Sequence, residues 1–160
     1  MFCSGCGSNL SPDRYLTVPI DVCASCGGVW LEEGRLKWII EVGPKSIPAD
    51  RVQKITQFVR TSSPNYRLSE TETRRIVKCP YCIGVMRAVN YSANSGVAIY
   101  KCINDHGVWI PRDGIDRLIV FIDTWDRYLK ETKPHYAMLA QLERKRFLRK
   151  LSTGSDNTTH

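Results

Sequence analysis

Six of the seven cysteines fall into Cys-x2-Cys pairs, and the seventh stands four residues before a histidine. Cys3 and Cys6 are answered by Cys23 and Cys26, and Cys79 and Cys82 by Cys102 and His106. A Cys-x2-Cys pair bites one face of a tetrahedral ion, and a second pair closes the shell. The spacing therefore predicts two structural zinc ions, one held by four cysteines and one by three cysteines with His106. Gly7, Gly27 and Gly107 follow Cys6, Cys26 and His106, where the curl of a knuckle often calls for positive φ. The stretches from Cys6 to Cys23 and from Cys82 to Cys102 are each long enough for strand, turn and strand.

The second site has two candidates for its fourth ligand. Aligning Trp30 with Trp109 sets Asp105, not His106, opposite Cys26. Nitrogen and sulfur dominate closed structural sites, so His106 is the expected ligand. Asp105 stays open as an alternative ligand or as an acceptor beside the site. Without the histidine, three cysteines would form a site open to water, the one place that leaves room for catalysis.

Both second pairs run into Gly-Val-Trp, at Gly28 to Trp30 and at Gly107 to Trp109. The expected role of each indole is to shield the adjacent metal and pack under the helix that follows. Stacking on a nucleobase is the sharper alternative. The chain has no P-loop, dinucleotide fingerprint, GxSxG elbow or HExxH motif. It is expected to be non-enzymatic, with no catalytic residues and no small-molecule substrate.

Charge points away from the cysteines. With zinc bound, a four-thiolate site carries −2 and a three-thiolate site −1, which brings the formal +7 down to about +4. Lys133, Arg144, Lys145, Arg146, Arg149 and Lys150 face only Glu143 within residues 132–151. A solvated helix face is the ordinary fate of such a run. Phosphate contact by Arg144, Lys145, Arg146, Arg149 and Lys150 is the functional alternative. There is no signal-like N-terminal run, and the apolar runs are too short for a membrane span. Paired thiols without a secretory signal fit a reducing compartment, so the expected location is the cytoplasm.

The elements that position these residues belong to an α+β fold with two zinc-ribbon hairpin units, each followed by helices, and a helical C-terminal segment. Residues 1–60 hold the first ribbon plus helices. The strand expected over Tyr15–Val22 has Pro19 at an edge or bulge, and helices are expected over Glu32–Val42 and from Pro48 to about Arg60. Residues 61–74 are expected to be a linker, and 75–131 hold the second ribbon plus a long helix. In that unit strands are expected over Arg75–Lys78, Val85–Tyr91 and Gly96–Lys101, with a turn at 92–95. The long helix runs from Asp113 to Lys130, with Ile115, Leu118, Ile119, Ile122, Trp125 and Leu129 on one stripe. A basic helix over 132–151 and a disordered tail over 152–160 complete the chain.

Cys23-Ala-Ser-Cys26-Gly-Gly-Val-Trp-Leu31, followed by Glu32-Glu-Gly-Arg-Leu36, resembles the core of the bacterial transcription factor IIB-like zinc-ribbon family. Residues 79–118 resemble a divergent second copy, with His-Gly-Val-Trp in place of Cys-Gly-Val-Trp and one extra residue before His106. The resemblance implies two tandem ribbons, with Cys3, Cys6, Cys23, Cys26, Cys79, Cys82, Cys102 and His106 as ligands, and an association with transcription. The expected partners are nucleic acid or a nucleic-acid machine such as RNA polymerase. The rival class is a protein–protein adaptor docking through Phe121, Trp125, Tyr128 and Leu129. The apolar surplus over residues 115–148 also raises a homodimer through the C-terminal helices.

Overall fold

The central strands carry apolar side chains on both faces, and each face of the sheet is buried against different material. In the computed structural model, residues 1–43, 48–61, 68, 70–90, 95–132 and 134–152 are described. The first half contributes β1 (Leu10–Tyr15), β2 (Val18–Cys23) and β3 (Val29–Glu32), then α1 (Arg35–Val42) and α2 (Ala49–Thr61). The second contributes α3 (Glu70–Arg74), β4 (Arg87–Asn90), β5 (Ala98–Lys101), β6 (Gly107–Ile110), α4 (Gly114–Thr132) and α5 (Pro134–Ser152).

The six strands form one antiparallel sheet in the order β1-β2-β3-β6-β5-β4. The halves join where β3 pairs with β6, with Trp30 opposite Trp109, Val29 opposite Ile110 and Leu31 opposite Val108. This register is that of a two-fold axis through the tryptophan pair, which exchanges the two Gly-Val-Trp strands. The α+β class thus holds, and the two ribbons are welded into a single sheet. The backbone leaves no room at the weld. A Cβ added to Gly107 (φ 150°) would lie 2.1 Å from the Leu31 carbonyl oxygen.

Because strand side chains alternate with period two, the faces separate cleanly. Val18, Ile20, Leu31, Val97, Ile99, Val108 and Ile110 meet Leu36, Ile39 and Ile40 of α1 and Ile115, Leu118, Ile119 and Ile122 of α4. The opposite face carries Cys3, Cys23, Trp30, Cys79, Tyr100, Cys102 and Trp109. Helices therefore cover one face and the zinc knuckles the other.

Several boundaries differ from expectation for physical reasons. Glu32 is still in β3, and α1 begins only after Gly34, whose φ of 81° turns the chain out of the sheet. Arg75–Lys78 forms no full strand and contributes one bridge, Lys78 to Val85. Pro19 pairs with β1, while β3 reaches only as far as Asp21, so the proline sits on a locally open side of β2. Within the expected linker, Glu70–Arg74 is the short helix α3. Positions 92–94 of the turn expected at 92–95, residues 62–67 and 69 of the expected linker, Lys133 of the basic run and most of the tail lie outside the described residues.

The helical pair α4 and α5 folds back on itself and is anchored at its sheet-proximal end by Phe121, Phe147, Leu148 and Leu151. The distal end leaves Trp125, Met138, Leu139 and Leu142 exposed. Among the described residues no helix is long and apolar enough to cross a membrane.

Candidate metal centres

Each knuckle is wound by one shared hydrogen bond and by a backbone N–H to a cysteine sulfur. The leading cysteine N–H donates to the carbonyl five residues on: Cys3 to Ser8, Cys23 to Gly28, Cys79 to Gly84 and Cys102 to Gly107. Its sulfur accepts from the N–H two residues on at 3.4 Å in three knuckles, from Gly5, Tyr81 and Asn104. In the remaining knuckle the Gly28 N–H reaches Cys26 Sγ. The curl needs one residue at positive φ, supplied by Gly7 (81°), Gly27 (70°), Ile83 (60°) and Asp105 (56°).

That pattern resolves the fourth ligand of the second site. The last knuckle spans the same number of residues as the others, so nothing is inserted. Asp105 occupies the place of Cys26 but takes the left-handed turn itself, and His106, in the place of Gly27, swings into the cluster. Its Nδ1 lies 3.5 Å from Cys102 Sγ and 3.7 Å from Cys79 Sγ. The Asp105 carboxylate turns away to the Lys101 Nζ at 3.0 Å. His106 closes the cluster, and Asp105 stands beside it as the ion-pair partner of Lys101.

The donor sets fit zinc. All four ligand atoms of each cluster lie within 4.8 Å of one another. Sulfur–sulfur separations are 3.5 Å for Cys3–Cys26, 3.5 Å for Cys6–Cys23 and 3.6 Å for Cys82–Cys102. Bonds of about 2.3 Å to a tetrahedral zinc give edges of about 3.8 Å, close to these values. All seven cysteines are free of disulfides. The protein holds two zinc ions. Closed sets of sulfur and nitrogen suit a structural role, in which the ion neutralises thiolates that could not otherwise share one pocket.

The thiols divide by environment. Burial pushes Cys26 up to about 12 and Cys79 up to about 11, and it raises Cys3 as well. Cys6 is lowered to about 6, first by a hydrogen bond from the Ser8 side chain. Cys82 is lowered to about 6, first by the Gly84 N–H and then by the Asn104 amide. Cys6 is exposed and Cys82 half-buried, whereas Cys3, Cys23, Cys79 and Cys102 are buried. Reactivity follows thiolate character and access. Zinc holds all of its ligands as thiolates, so in the zinc-loaded protein access decides. Iodoacetamide at neutral pH is expected to modify exposed Cys6 and half-buried Cys82 about tenfold or more ahead of those four. Peptide mapping by mass spectrometry at low conversion checks it, and uniform labelling would refute it.

The tryptophans cover the metals crosswise. A Cβ on Gly5 or Gly28 would lie 2.2 or 2.5 Å from the Trp109 ring, so this indole lies on both knuckles of the first site. Trp30 in turn packs on Gly107 and on Tyr81, 6.0 Å between ring centroids, in the knuckles of the second site. Each indole thus shields the metal of the other half, and it does so on the face away from the helices. Both rings are essentially inaccessible, at 0% and 1% exposure, which removes them as stacking platforms for a base.

Lys101 is a residue that the sequence reasoning missed. It is buried, and its ammonium donates to the Lys150 and Leu151 carbonyls at the end of α5 while pairing with Asp105. A cation there suits the negative end of a helix, and it ties α5 to the second zinc knuckle. Its one signal was a lysine inside an otherwise apolar strand, Ala98-Ile-Tyr-Lys101. Asp116 was missed likewise. Buried at the start of α4, it accepts from the Tyr15 hydroxyl and pairs with Arg51, linking β1, α2 and α4. On α5, Lys145, Arg146, Arg149 and Lys150 are exposed and Arg144 is half-buried.

A family model described as a transcription factor zinc-finger matches residues 2–42, the first ribbon with α1. No curated protein and no solved structure matches the chain significantly. The first unit is therefore a zinc ribbon by sequence as well as by structure. The second, at 79–118, lies outside the match, and its likeness to the first rests on the shared knuckle bonds and the two-fold register.

Proposed function

We propose that the chain is a non-enzymatic, transcription-associated zinc protein of the cytoplasm that binds nucleic acid or a nucleic-acid machine such as RNA polymerase. In this reading the second unit is a diverged tandem copy of the first. The welded sheet and its two metals act as a rigid mount, and α5 provides the contact. The observation that carries the reading is the anchoring of α5. Phe147, Leu148 and Leu151 are buried on one side, Lys101 holds its last carbonyls, and Lys145, Arg146, Arg149 and Lys150 face solvent. Cations fixed on a docked helix lose little freedom on meeting phosphate.

Phosphate contacts release counterions, so affinity for a duplex or single strand is expected to fall steeply with salt. Replacing Lys145, Arg146 and Lys150 by Gln is expected to flatten the slope of log K against log salt by about 0.9 per phosphate contact on duplex. Fluorescence anisotropy over a salt series measures it. No binding at low salt, or an unchanged slope, removes direct nucleic-acid contact.

A second reading, a protein–protein adaptor or a homodimer through the C-terminal helices, is favoured by the distal end of α4 and α5. There Trp125 is 39% exposed beside Phe121, its ring stacked at 6.2 Å, and Met138 is 67% exposed. Trp125→Ala that abolishes a protein complex or a dimer while both zinc ions remain would favour this reading.

A further inference from the structure

The two halves build the same knuckles from different surface residues. Where the first has Gly5, Gly7, Asn9 and Ala24, the second has Tyr81, Ile83, Val85 and Ile103. Small or polar residues therefore suffice for this backbone. The second half nevertheless exposes Ile83 at 54%, Val85 at 58%, Ile103 at 64% and, just before its first knuckle, Ile76 at 72%. Tyr81 is accounted for by Trp30, His106 and the Glu32 carboxylate, to which its hydroxyl donates. The four aliphatic side chains belong to neither buried cluster.

Ile83 is the sharpest case. It takes the left-handed turn at φ 60°, where the equivalent Gly7 sits at 81°. A β-branched side chain is strained there and glycine is not. Strain retained at an exposed position, with no packing in return, points to a use outside the fold.

Ile76, Lys78, Val85 and Arg87 share one outward face, which adjoins the two knuckles that carry Ile83 and Ile103. Lys78 bridges to Val85, and Ile76 and Arg87 stand two residues from them on the same outward face, while Val77 and Met86 turn into the core. Ile103 adjoins Asn104, whose amide donates to Cys82 Sγ at 3.4 Å, beside Ile83. No Asp or Glu occurs from Thr73 to Asn104, and Lys78 and Arg87 are both exposed.

Charge selects the occupant. A second copy of the same face would bring like cations together. Bases find no stacking surface on aliphatic side chains. Sinking Ile76 and Val85 into a bilayer would drag Lys78, which lies between them, towards hydrocarbon. We infer that this face of the second unit docks a segment of a partner protein that combines carboxylates with aliphatic side chains. The carboxylates pair with Lys78 and Arg87, and the aliphatic groups cover Ile76, Ile83, Val85 and Ile103. Arg87 lines one hollow with Lys150 and Leu151 of α5, but the aliphatic side chains lie on the knuckle side, and the inference stands whether or not that helix touches phosphate.

Selection of a displayed random peptide library on the zinc-loaded full chain tests the inference. The expected result is enrichment of peptides joining Asp or Glu to Leu, Ile or Val. These should bind Ile83→Gly and Lys78→Glu about tenfold or more weakly than the native chain. Ile83→Gly should meanwhile keep both zinc ions and melt no lower, since it relieves the turn. The inference is overturned by peptides without acids, by equal binding to Ile83→Gly, or by a lower melting temperature of that variant. Failure of any peptide to enrich, with or without Ile83-dependent binding to phosphatidylserine vesicles, overturns it too.

Discussion

Replacing Cys23 by serine is expected to unfold the whole sheet, not the first unit alone. The substitution leaves three sulfurs around an ion that needs four donors. A structural zinc contributes about 10–16 kcal/mol of apparent binding energy, while the net stability of a whole domain is about 5–15 kcal/mol. Losing most of one site therefore exceeds what the rest can offset. The damage spreads because Cys23 ends β2, and β2 holds β3, whose other edge is β6 of the second half. Freeing β3 uncovers Trp109 and Val108 together with Trp30. Zinc content by mass spectrometry and unfolding followed by tryptophan fluorescence give the answer. One cooperative loss of both ions is expected, and Cys102→Ser should mirror it. Retention of one zinc with an intact second half would show that the weld carries little of the stability.

Much of this site was written in local spacing. Paired cysteines and the glycines behind them gave ligands and knuckles, because each depends on neighbours a few residues away. The single strand expected over Tyr15–Val22 is instead a hairpin, with β1 ending at Tyr15, a turn at Leu16 (φ 56°) and β2 starting at Val18. The weld was not written in local spacing. Pairing of β3 with β6 joins residues about eighty positions apart, and no local period encodes it. One trace of it existed. Val29-Trp30-Leu31 and Val108-Trp109-Ile110 are apolar on both strand faces, as central strands are and the edge of an isolated ribbon is not. The same holds for His106. Its alignment with Gly27 looked like an insertion, yet the turn that Gly27 makes was passed back to Asp105. A residue count cannot reveal which of two neighbours takes the left-handed turn.

Trp109→Ala is expected to loosen the metal site to which Trp109 does not belong by sequence. Its ring lies on Gly5 and Gly28, which carry the first site, and its other contacts are Tyr100 at 5.5 Å and the Arg75 guanidinium at 5.0 Å. Removing a buried indole costs about 3–5 kcal/mol when the surroundings cannot collapse. Here they cannot, because the facing positions are glycine and have no side chain to move in. The void opens onto Cys3 and Cys26, so water and competing chelators reach those sulfurs first. Cadmium-113 NMR separates a four-sulfur site from one with three sulfurs and a nitrogen, and a chelator challenge then gives each release rate. Trp109→Ala should speed loss from the four-cysteine site more than from Cys79, Cys82, Cys102 and His106. Trp30→Ala should do the reverse, through Gly107 and Tyr81. If each substitution instead weakens the site that precedes it in sequence, the crosswise cover is wrong and the two ribbons shield their own metals.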